Sequence, residues 1–302
     1  METSDNRYAS QSFLAKPPRH VPILVRCRML FGGFANQFGW IFFGFGMIFV
    51  WIFGLNCDPM AIIDFSGELA SEKGVITHVT ETNMSQGGSE HSKGTPIYLF
   101  KYKFELGGSS YKGQSYKVGQ GPGAGTKVTV EFPPGRPDRS RIKGMRTAAF
   151  PIFVLFVFIF PFVGLCFMIC GFLFGWKTTK LLRIGEFGYG KLVGKEATGT
   201  EINNQRVYKF TFEFHTDAGE TKQAIAKTHH TQKLEDNEWE PLLYDPVFPE
   251  KATLLDHLPG EPQVSYDGQI ATNSSSQTLL CLIIPAITVV GHSLAFYYLF
   301  LK

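Results

Sequence analysis

A histidine within an apolar stretch is the first residue whose chemistry points to a site. His292 lies in residues 278–301, which contain no charged residue. An ionisable side chain in a membrane-spanning segment usually faces a partner helix, a cavity or an interface. The sequence therefore identifies His292 as a candidate intramembrane polar site. The alternative is a neutral imidazole that hydrogen-bonds to a neighbouring helix.

A glycine-rich segment, Gly119 to Lys127, has some features of a phosphate-binding loop. Its sequence is GQGPGAGTK, whereas such loops need Gly-Lys-Ser/Thr followed by a helix whose N-terminus holds the phosphate. Here Thr126 precedes Lys127, and the alternating residues that follow predict a β-strand. We therefore expect a flexible hairpin connection at this point.

Other polar residues have the types needed for metal binding or catalysis but lack the spacing. His229 and His230 have no Cys, Asp or Glu at ligand spacing, and His91 lies beside Glu90 in a polar segment. Ser140 stands outside any Gly-x-Ser-x-Gly motif. We interpret the histidines as exposed loop residues and Ser140 as a strand residue. The sequence thus predicts no catalytic residue, no cofactor and no metal site.

Basic residues are concentrated just before the central apolar stretch of the chain. Near a cytoplasmic membrane surface, each would attract anionic lipid by about 1 kcal/mol. Topological anchoring explains them equally well. The net charge of the chain is +3, which gives no reason to expect a nucleic-acid partner. The cluster consists of Arg136, Arg139, Arg141, Lys143 and Arg146.

Three apolar stretches must position these residues, and they cover residues 29–57, 147–176 and 278–301. Each exceeds the roughly 20 residues that cross a bilayer as a helix. Charged residues make up 18% of the chain, below the ~25% typical of soluble domains. We therefore predict three transmembrane helices, with the lipid bilayer as a partner.

Residues 74–143, between the first two apolar stretches, have the pattern of a β module. From Tyr98 to Leu106, apolar side chains alternate with polar ones. A period of two with one polar face predicts a strand that buries its other face. Gly107-Gly108 predicts a turn, and the sequence SSYKGQSY predicts the returning strand.

Residues 187–267 repeat this pattern and form the second predicted module. Tyr208 to Phe214 alternate as Tyr98 to Leu106 do, at an offset of 110 residues. LLYDPVFPEKATLL matches VEFPPGRPDRSRI at an offset of 112. Two matched elements in the same order indicate a duplicated module. We predict a shared strand order in which the two aromatic segments are equivalent central strands.

The first module resembles the domain-of-unknown-function 3592 family of bacterial membrane proteins. The resemblance rests on GVITHV, YLFKYKFELGGSSYKG and KVTVEFPPGRPDRSRI, and in the second module on YKFTFEFHTDAGE and LLYDPVFPEKATLL. Phe132-Pro133 stands where Tyr-Asp is more usual, and the second returning strand lacks the Tyr-x-Gly pattern. The resemblance implies a small β module beside a bacterial membrane and no established activity.

Charge predicts the side of the membrane on which each module lies. We expect residues 1–28 to form a flexible polar tail in the cytoplasm. Full crossing by all three stretches then places the first module outside and the second inside. Nine Lys and Arg residues lie beside the inner ends and seven beside the outer ends. A turn near Pro161 and Gly164 would put both modules on one side, but each half would hold about 15 residues, too few to cross.

Together these patterns predict an α+β membrane protein with three transmembrane helices and two small antiparallel β modules, each a partly closed barrel or sandwich. We expect a multi-pass protein of the bacterial inner membrane that acts in envelope assembly or interaction, without enzymatic activity. Its expected partners are the lipid bilayer and other membrane proteins or copies of itself, and not nucleic acid. A subunit of an oligomeric transporter or channel is the alternative, and a membrane-bound enzyme is third.

Overall fold

The computed structural model describes residues 14–88, 94–202, 204–228, 231, 234, 239–265 and 268–302. Within these residues the protein is α+β, as predicted, with two five-stranded antiparallel sheets and three long apolar helices. The chain forms two compact units. One is Phe45–Pro161, and the other combines the described residues up to Gly44 with Phe162–Lys302.

Three helices are long and apolar enough to cross a membrane. The first is α2, Phe34–Phe53, which the 3₁₀ helix Gly54–Asn56 extends. The second joins the 3₁₀ helix Ile152–Phe158 to α4, Ile159–Ile184, and the third is α5, Ser275–Phe300. A helix of 26 residues, such as α4 or α5, is about 39 Å long at 1.5 Å per residue.

The apolar helices begin and end differently from the predicted stretches. Gly32 and Gly33 end a separate helix, α1 (Ile23–Phe31), so the first apolar helix begins at Phe34 and not at residue 29. The second continues past Trp176 to Ile184, because good helix formers such as Lys and Leu follow the apolar residues.

Helix α4 passes through Pro161 and Gly164 without a break. Pro161 lies in the first turn of α4, where a proline removes no intrahelical hydrogen bond. The turn that would put both modules on one side is therefore not formed.

Residues 14–28 do not form the loosely attached tail that we predicted. Val25 and Met29 lie four residues apart in α1 and therefore share one side of that helix, and Val21 lies just before it. All three are buried, as is Leu14. Nearby prolines and charges hide this apolar stripe in the sequence. Their buried neighbours in the same unit are Leu182, Leu243, Leu255, Leu258 and Ile270.

The first sheet contains five strands: β1 (Ala70–Gln86), β2 (Thr95–Leu106), β3 (Ser109–Val118), β4 (Lys127–Phe132) and β5 (Arg141–Ile142). Their order in the sheet is β3-β2-β1-β4-β5. Gly107 and Gly108 join β2 to β3 with φ of +55° and +80°, which glycine adopts without strain, so the predicted turn is confirmed. Strand β4 pairs with β1 and not with β3. Residues 119–126 therefore cross the sheet, and the predicted hairpin connection is wrong.

The second sheet has the order β10-β9-β6-β7-β8. Its strands are β6 (Glu186–Ile202), β7 (Gln205–His215), β8 (Thr221–Thr228), β9 (Trp239–Tyr244) and β10 (Ala252–Leu254). Read from β8, this is the order of the first sheet, so the predicted shared strand order is confirmed. The aromatic strands β2 and β7 are equivalent, but each lies beside the middle strand and not at the middle.

The two sheets also pair in the same register. Gly74 on β1 faces Phe104 on β2, and Gly190 on β6 faces Phe214 on β7. Each middle strand has two register shifts, and the corresponding shifts lie 116 residues apart. They fall at Ile76/His78 and Glu81/Ser85 in β1, and at Leu192/Gly194 and Ala197/Glu201 in β6.

Each sheet buries one face, and neither closes into a barrel in the described residues. Both strand orders are open, although edge strand β3 and the residues after β5 meet at the bridge between Tyr116 and Arg146. The first core includes Ile76, Phe100, Tyr102, Phe104, Val130 and Phe132. The second core includes Phe210, Phe212, Phe214, Leu242, Tyr244 and Leu254. The aromatic faces are thus buried as predicted.

The unit that contains the second sheet also has a two-stranded sheet and a short 3₁₀ helix. The sheet pairs β11 (Gln263–Val264) with β12 (Ile270–Ala271), and the 3₁₀ helix is Leu255–His257. Leu255, Leu258 and Ile270 belong to the same core as the buried side chains Val21, Val25 and Met29.

Candidate functional site

His292 on α5 contacts α2 within one compact unit. Its Nε2 lies 3.0 Å from the carbonyl oxygen of Gly44, and its ring packs edge-on to Phe43 with 6.5 Å between centroids. Glycine permits this approach, because a Cβ at Gly44 would lie 2.9 Å from Thr288 Oγ1. The structure therefore places the imidazole at an interface between two helices.

Two further polar side chains, both on α2, also bond to backbone carbonyls. Gln37 Nε2 donates to the carbonyl oxygens of Phe31 and Cys281 at 2.6 and 2.7 Å. Asn36 Nδ2 lies 3.4 Å from the carbonyl oxygen of Met168. Burying a polar group without a hydrogen bond costs free energy, so these contacts stabilise the packing of the helices.

In the unit Phe45–Pro161, an ion-pair cluster forms around Asp64. This residue ends the short helix α3 (Ala61–Asp64), and its side chain is buried. Arg136 Nη1 donates to Oδ1 of Asp64 at 2.8 Å, and Arg139 Nε donates to Oδ2 at 2.7 Å. Arg139 Nη2 also reaches Asp58 Oδ2 at 2.8 Å. Both arginines come from the connection between β4 and β5.

These arginines keep the Asp64 carboxyl ionised. The hydrogen bond from Arg139 holds the pKa of Asp64 below its ordinary value of 3.8, although burial acts in the opposite direction. Arg141 and Lys143 approach Glu131 at 3.5 and 3.8 Å. Carboxylates of the same unit therefore offset much of the positive charge of the basic cluster, which the sequence analysis considered as a site of attraction for anionic lipid.

A buried polar network supports the segment next to Arg139. The hydroxyls of Tyr102 and Ser140 lie 3.0 Å apart, and Ser115 Oγ accepts the backbone N–H of Ile142 at 2.8 Å. Burial raises the pKa of Tyr102, so the phenol stays protonated at neutral pH. The network holds the start of β5 against β2 and β3.

The second sheet has no counterpart of this network among the described residues. The common register places Phe212 at the position of Tyr102 and Ala226 at that of Ser115. The offset of 112 residues places Ala252 at the position of Ser140. All three polar side chains are thus replaced by apolar ones, and the two modules differ in this region.

A cleft of about 610 Å³ opens beside the network. Its charged lining residues are Asp58, Asp138 and Arg139, together with Lys101, Lys103 and Lys112 of strands β2 and β3. Lys103 and Lys112 face each other across the two strands. In the described part of the chain, none of these three lysines takes part in an ion pair.

The other sequence candidates do not come together at this cleft, apart from Ser140. Ser140 immediately precedes β5, so its interpretation as a strand residue is wrong, and its hydroxyl belongs to the buried network. His91, His229 and His230 lie outside the described residues. Across the ranges that are described, no group of three or more His, Cys, Asp or Glu residues is arranged to hold a metal ion.

No family model, curated protein sequence or solved structure matches the chain. What the cleft can do therefore follows from its own side chains. Lysine ammonium groups are compact positive charges on flexible stems. The three lysines lie beside Arg139, which is already paired with Asp58 and Asp64. This arrangement suits the electrostatic binding of an anion.

Proposed function

We propose that the protein is a multi-pass protein of the bacterial inner membrane whose two β modules bind other components of the cell envelope. In this proposal α2, α4 and α5 cross the bilayer, and the modules act by binding and not by catalysis. Their partners are other membrane proteins or further copies of the chain.

One observation carries the proposal: the sheets share a backbone plan but present different outer faces. In each sheet, a row of paired residues crosses four strands at the same register. A shared backbone plan does not dictate these side chains, so the difference is expected of two surfaces with different partners. The row reads Lys112, Lys103, Val75 and Lys127 in the first sheet, and Gln223, Glu213, Lys191 and Trp239 in the second.

Duplication of one ancestral module accounts for this plan. The strand orders, the registers and both pairs of register shifts agree between the sheets. Register shifts of this kind are specific features of a sheet and not accidents of packing. Membership of both modules in the domain-of-unknown-function 3592 family is part of the same proposal and rests on the sequence resemblance.

We place the second module in the cytoplasm and the first outside. Residues 14–31 pack in the same unit as the second module, so these two parts share a side. Helices α2 and α4 are each continuous and long enough to cross once. The slight excess of Lys and Arg beside the predicted inner ends supports this orientation.

Photo-crosslinking from equivalent positions tests the binding role. A photoreactive residue replaces Lys127 or Trp239, equivalent and exposed positions of the row, in the full chain, in cells, before extraction into detergent. We expect each position to capture a different defined protein or a second copy of the chain. The control is Ser109, an exposed hairpin position outside the row. Identical products from all three positions, or none from any, would contradict the proposal.

The transporter alternative predicts a polar path through the helices. The described polar side chains Gln37 and His292 instead make contacts between helices. Substrate flux through liposomes that is abolished by His292→Phe would favour transport over the proposed role. Labelling by an activity-based probe would favour the membrane-bound enzyme.

A further inference from the structure

We propose that the cleft of the first module binds the phosphate-bearing headgroup of an anionic phospholipid through Lys101, Lys103 and Lys112. This inference rests on the proposed membrane insertion and names one ligand of the first module.

The cleft lies where the first module joins the apolar helices. Asp58 and Thr147 line it, and they stand just after the first apolar helix and just before the second. The backbone N–H of Phe150 donates to the carbonyl oxygen of Asn56 at 3.0 Å, and the backbones of Cys57 and Phe150 form a parallel β-bridge. These contacts hold the two connecting segments side by side. The cleft therefore opens at the level expected for lipid headgroups.

The three lysines are not required by the sheet. Like charges directly opposite each other on paired strands are destabilising, yet Lys103 and Lys112 occupy such a pair. At the positions of Lys101, Lys103 and Lys112, the second sheet has no basic residue. It has Thr211, Glu213 and Gln223 there.

The other basic residue at the cleft, Arg139, is already engaged. Of the two carboxylates that line the cleft, Asp58 is paired with Arg139, and Asp138 makes no ion pair among the described residues, so three lysines stand against one such carboxylate. Arg139 is bonded to Asp58 and Asp64, so it helps to shape the cleft without adding free charge. The lysines are available, and their flexible stems allow the ammonium groups to reach a phosphate. The volume of about 610 Å³ falls within the roughly 300–1,000 Å³ of small-molecule sites. A headgroup is favoured over a free anion because its acyl chains would remain in the adjoining bilayer.

Lipid binding by the full chain in neutral maltoside detergent tests this inference. Native mass spectrometry measures the binding of short-chain phosphatidylglycerol, short-chain phosphatidylcholine and inorganic phosphate. We expect phosphatidylglycerol to bind at least about tenfold more tightly than phosphatidylcholine. The variant K101Q/K103Q/K112Q should bind it roughly 100-fold more weakly, at about fivefold for each lysine near the surface.

The matched control is K73Q/K117Q/K127Q, which removes the same charge from the same sheet at positions outside the cleft lining. We expect it to retain the affinity of the wild type. Equal losses in both triple variants would show diffuse attraction and overturn the inference. Equal affinity for the two lipids, or displacement of phosphatidylglycerol by an equal concentration of phosphate, would overturn it too.

Single substitutions keep the test independent of folding. Lys112 is exposed, so K112Q should weaken binding about fivefold without changing the thermal unfolding midpoint. Unchanged binding in K112Q would count against the cleft.

Carbonate extraction separates the two proposals. A chain that leaves the membrane fraction contradicts the proposed function. A chain that stays there but shows no lipid preference contradicts this inference alone.

Discussion

Among single residues, Asp64 holds the connection between β4 and β5 in place. Its buried carboxylate accepts hydrogen bonds from Arg136 and Arg139. Removing one partner of a buried ion pair leaves an uncompensated charge, which costs more than the pair contributes. Asp64 therefore determines where Arg139 stands at the edge of the cleft.

Acid should loosen the first module through Asp64. The folded pKa of Asp64 lies below the ordinary 3.8. Its stabilising contribution is therefore complete above that value and is lost as the pH falls through the folded pKa. We expect the thermal unfolding midpoint of the full chain, followed by near-UV circular dichroism, to fall as the pH is lowered below about 4. Asp64→Asn should be less stable at neutral pH and should lose less on acidification. A pH profile in Asp64→Asn that matches the wild type would rule out this role.

The sequence identified some residues of the candidate site and missed others for a physical reason. The basic cluster around Arg139 is visible as a run of charges, but its pairing with Asp58 and Asp64 depends on contacts more than 70 residues apart. Lys101 and Lys103 appear in the sequence as ordinary polar positions of an alternating strand. Their opposition to Lys112 becomes visible only when the register of β2 and β3 is known.

Among the helices and strands, the N-terminal segment, residues 14–31, holds the end of α4. The guanidinium of Arg19 is buried and donates to the carbonyl oxygens of Leu182 and Gly185 at 3.2 and 2.7 Å. Its backbone N–H donates to the carbonyl oxygen of Arg183 at 2.8 Å. A cation at a helix C-terminus is also favoured by the helix dipole.

Replacing Arg19 should release the N-terminal segment. Arg19→Met keeps much of the side-chain volume but loses the hydrogen bonds, at a cost of about 2 kcal/mol. We expect faster hydrogen exchange in residues 14–31 of the full chain. Arg26→Met is the control, because Arg26 bonds to the nearby carbonyl oxygen of Val21. Equal exchange rates in the two variants would contradict the role of Arg19.

A carboxylate on either buried aromatic face should unfold the module that contains it. Phe104 is 2% exposed and Phe212 is 0% exposed, so Phe104→Asp or Phe212→Asp should cost at least about 4 kcal/mol. Limited proteolysis should show new cleavage within the mutated module while membrane insertion persists. Lys103→Asp and Thr211→Asp place the same charge on the outer faces and should leave the pattern unchanged. Protection of both modules in the buried variants would refute the assignment.

The alternating pattern predicted the aromatic strands β2 and β7 and their hairpin partners, because period-two burial is a local property of the sequence. The equivalence of β1 and β6 could not be predicted. Apart from the equivalent glycines Gly74 and Gly190, these strands have few identical residues at matching positions. The register shifts that relate them are features of the backbone. The position of β4 beside β1 also depends on long-range pairing.

For the whole chain, two sheets of one plan are joined to apolar helices and carry different outer faces. The N-terminal segment belongs to the unit of the second module, which fixes those two parts on one side if the helices cross. In the proposed topology, α2 and α4 each carry the chain across a bilayer, so that the two modules lie in different compartments.

Cysteine labelling in intact cells tests this claim most directly. Single cysteines replace Ser110 and, separately, Thr221, both exposed, in a chain from which the native cysteines have been removed. We predict that a membrane-impermeant maleimide labels position 110 in intact cells and labels position 221 only after the membrane is permeabilised. Equal labelling of both positions in intact cells would contradict the account.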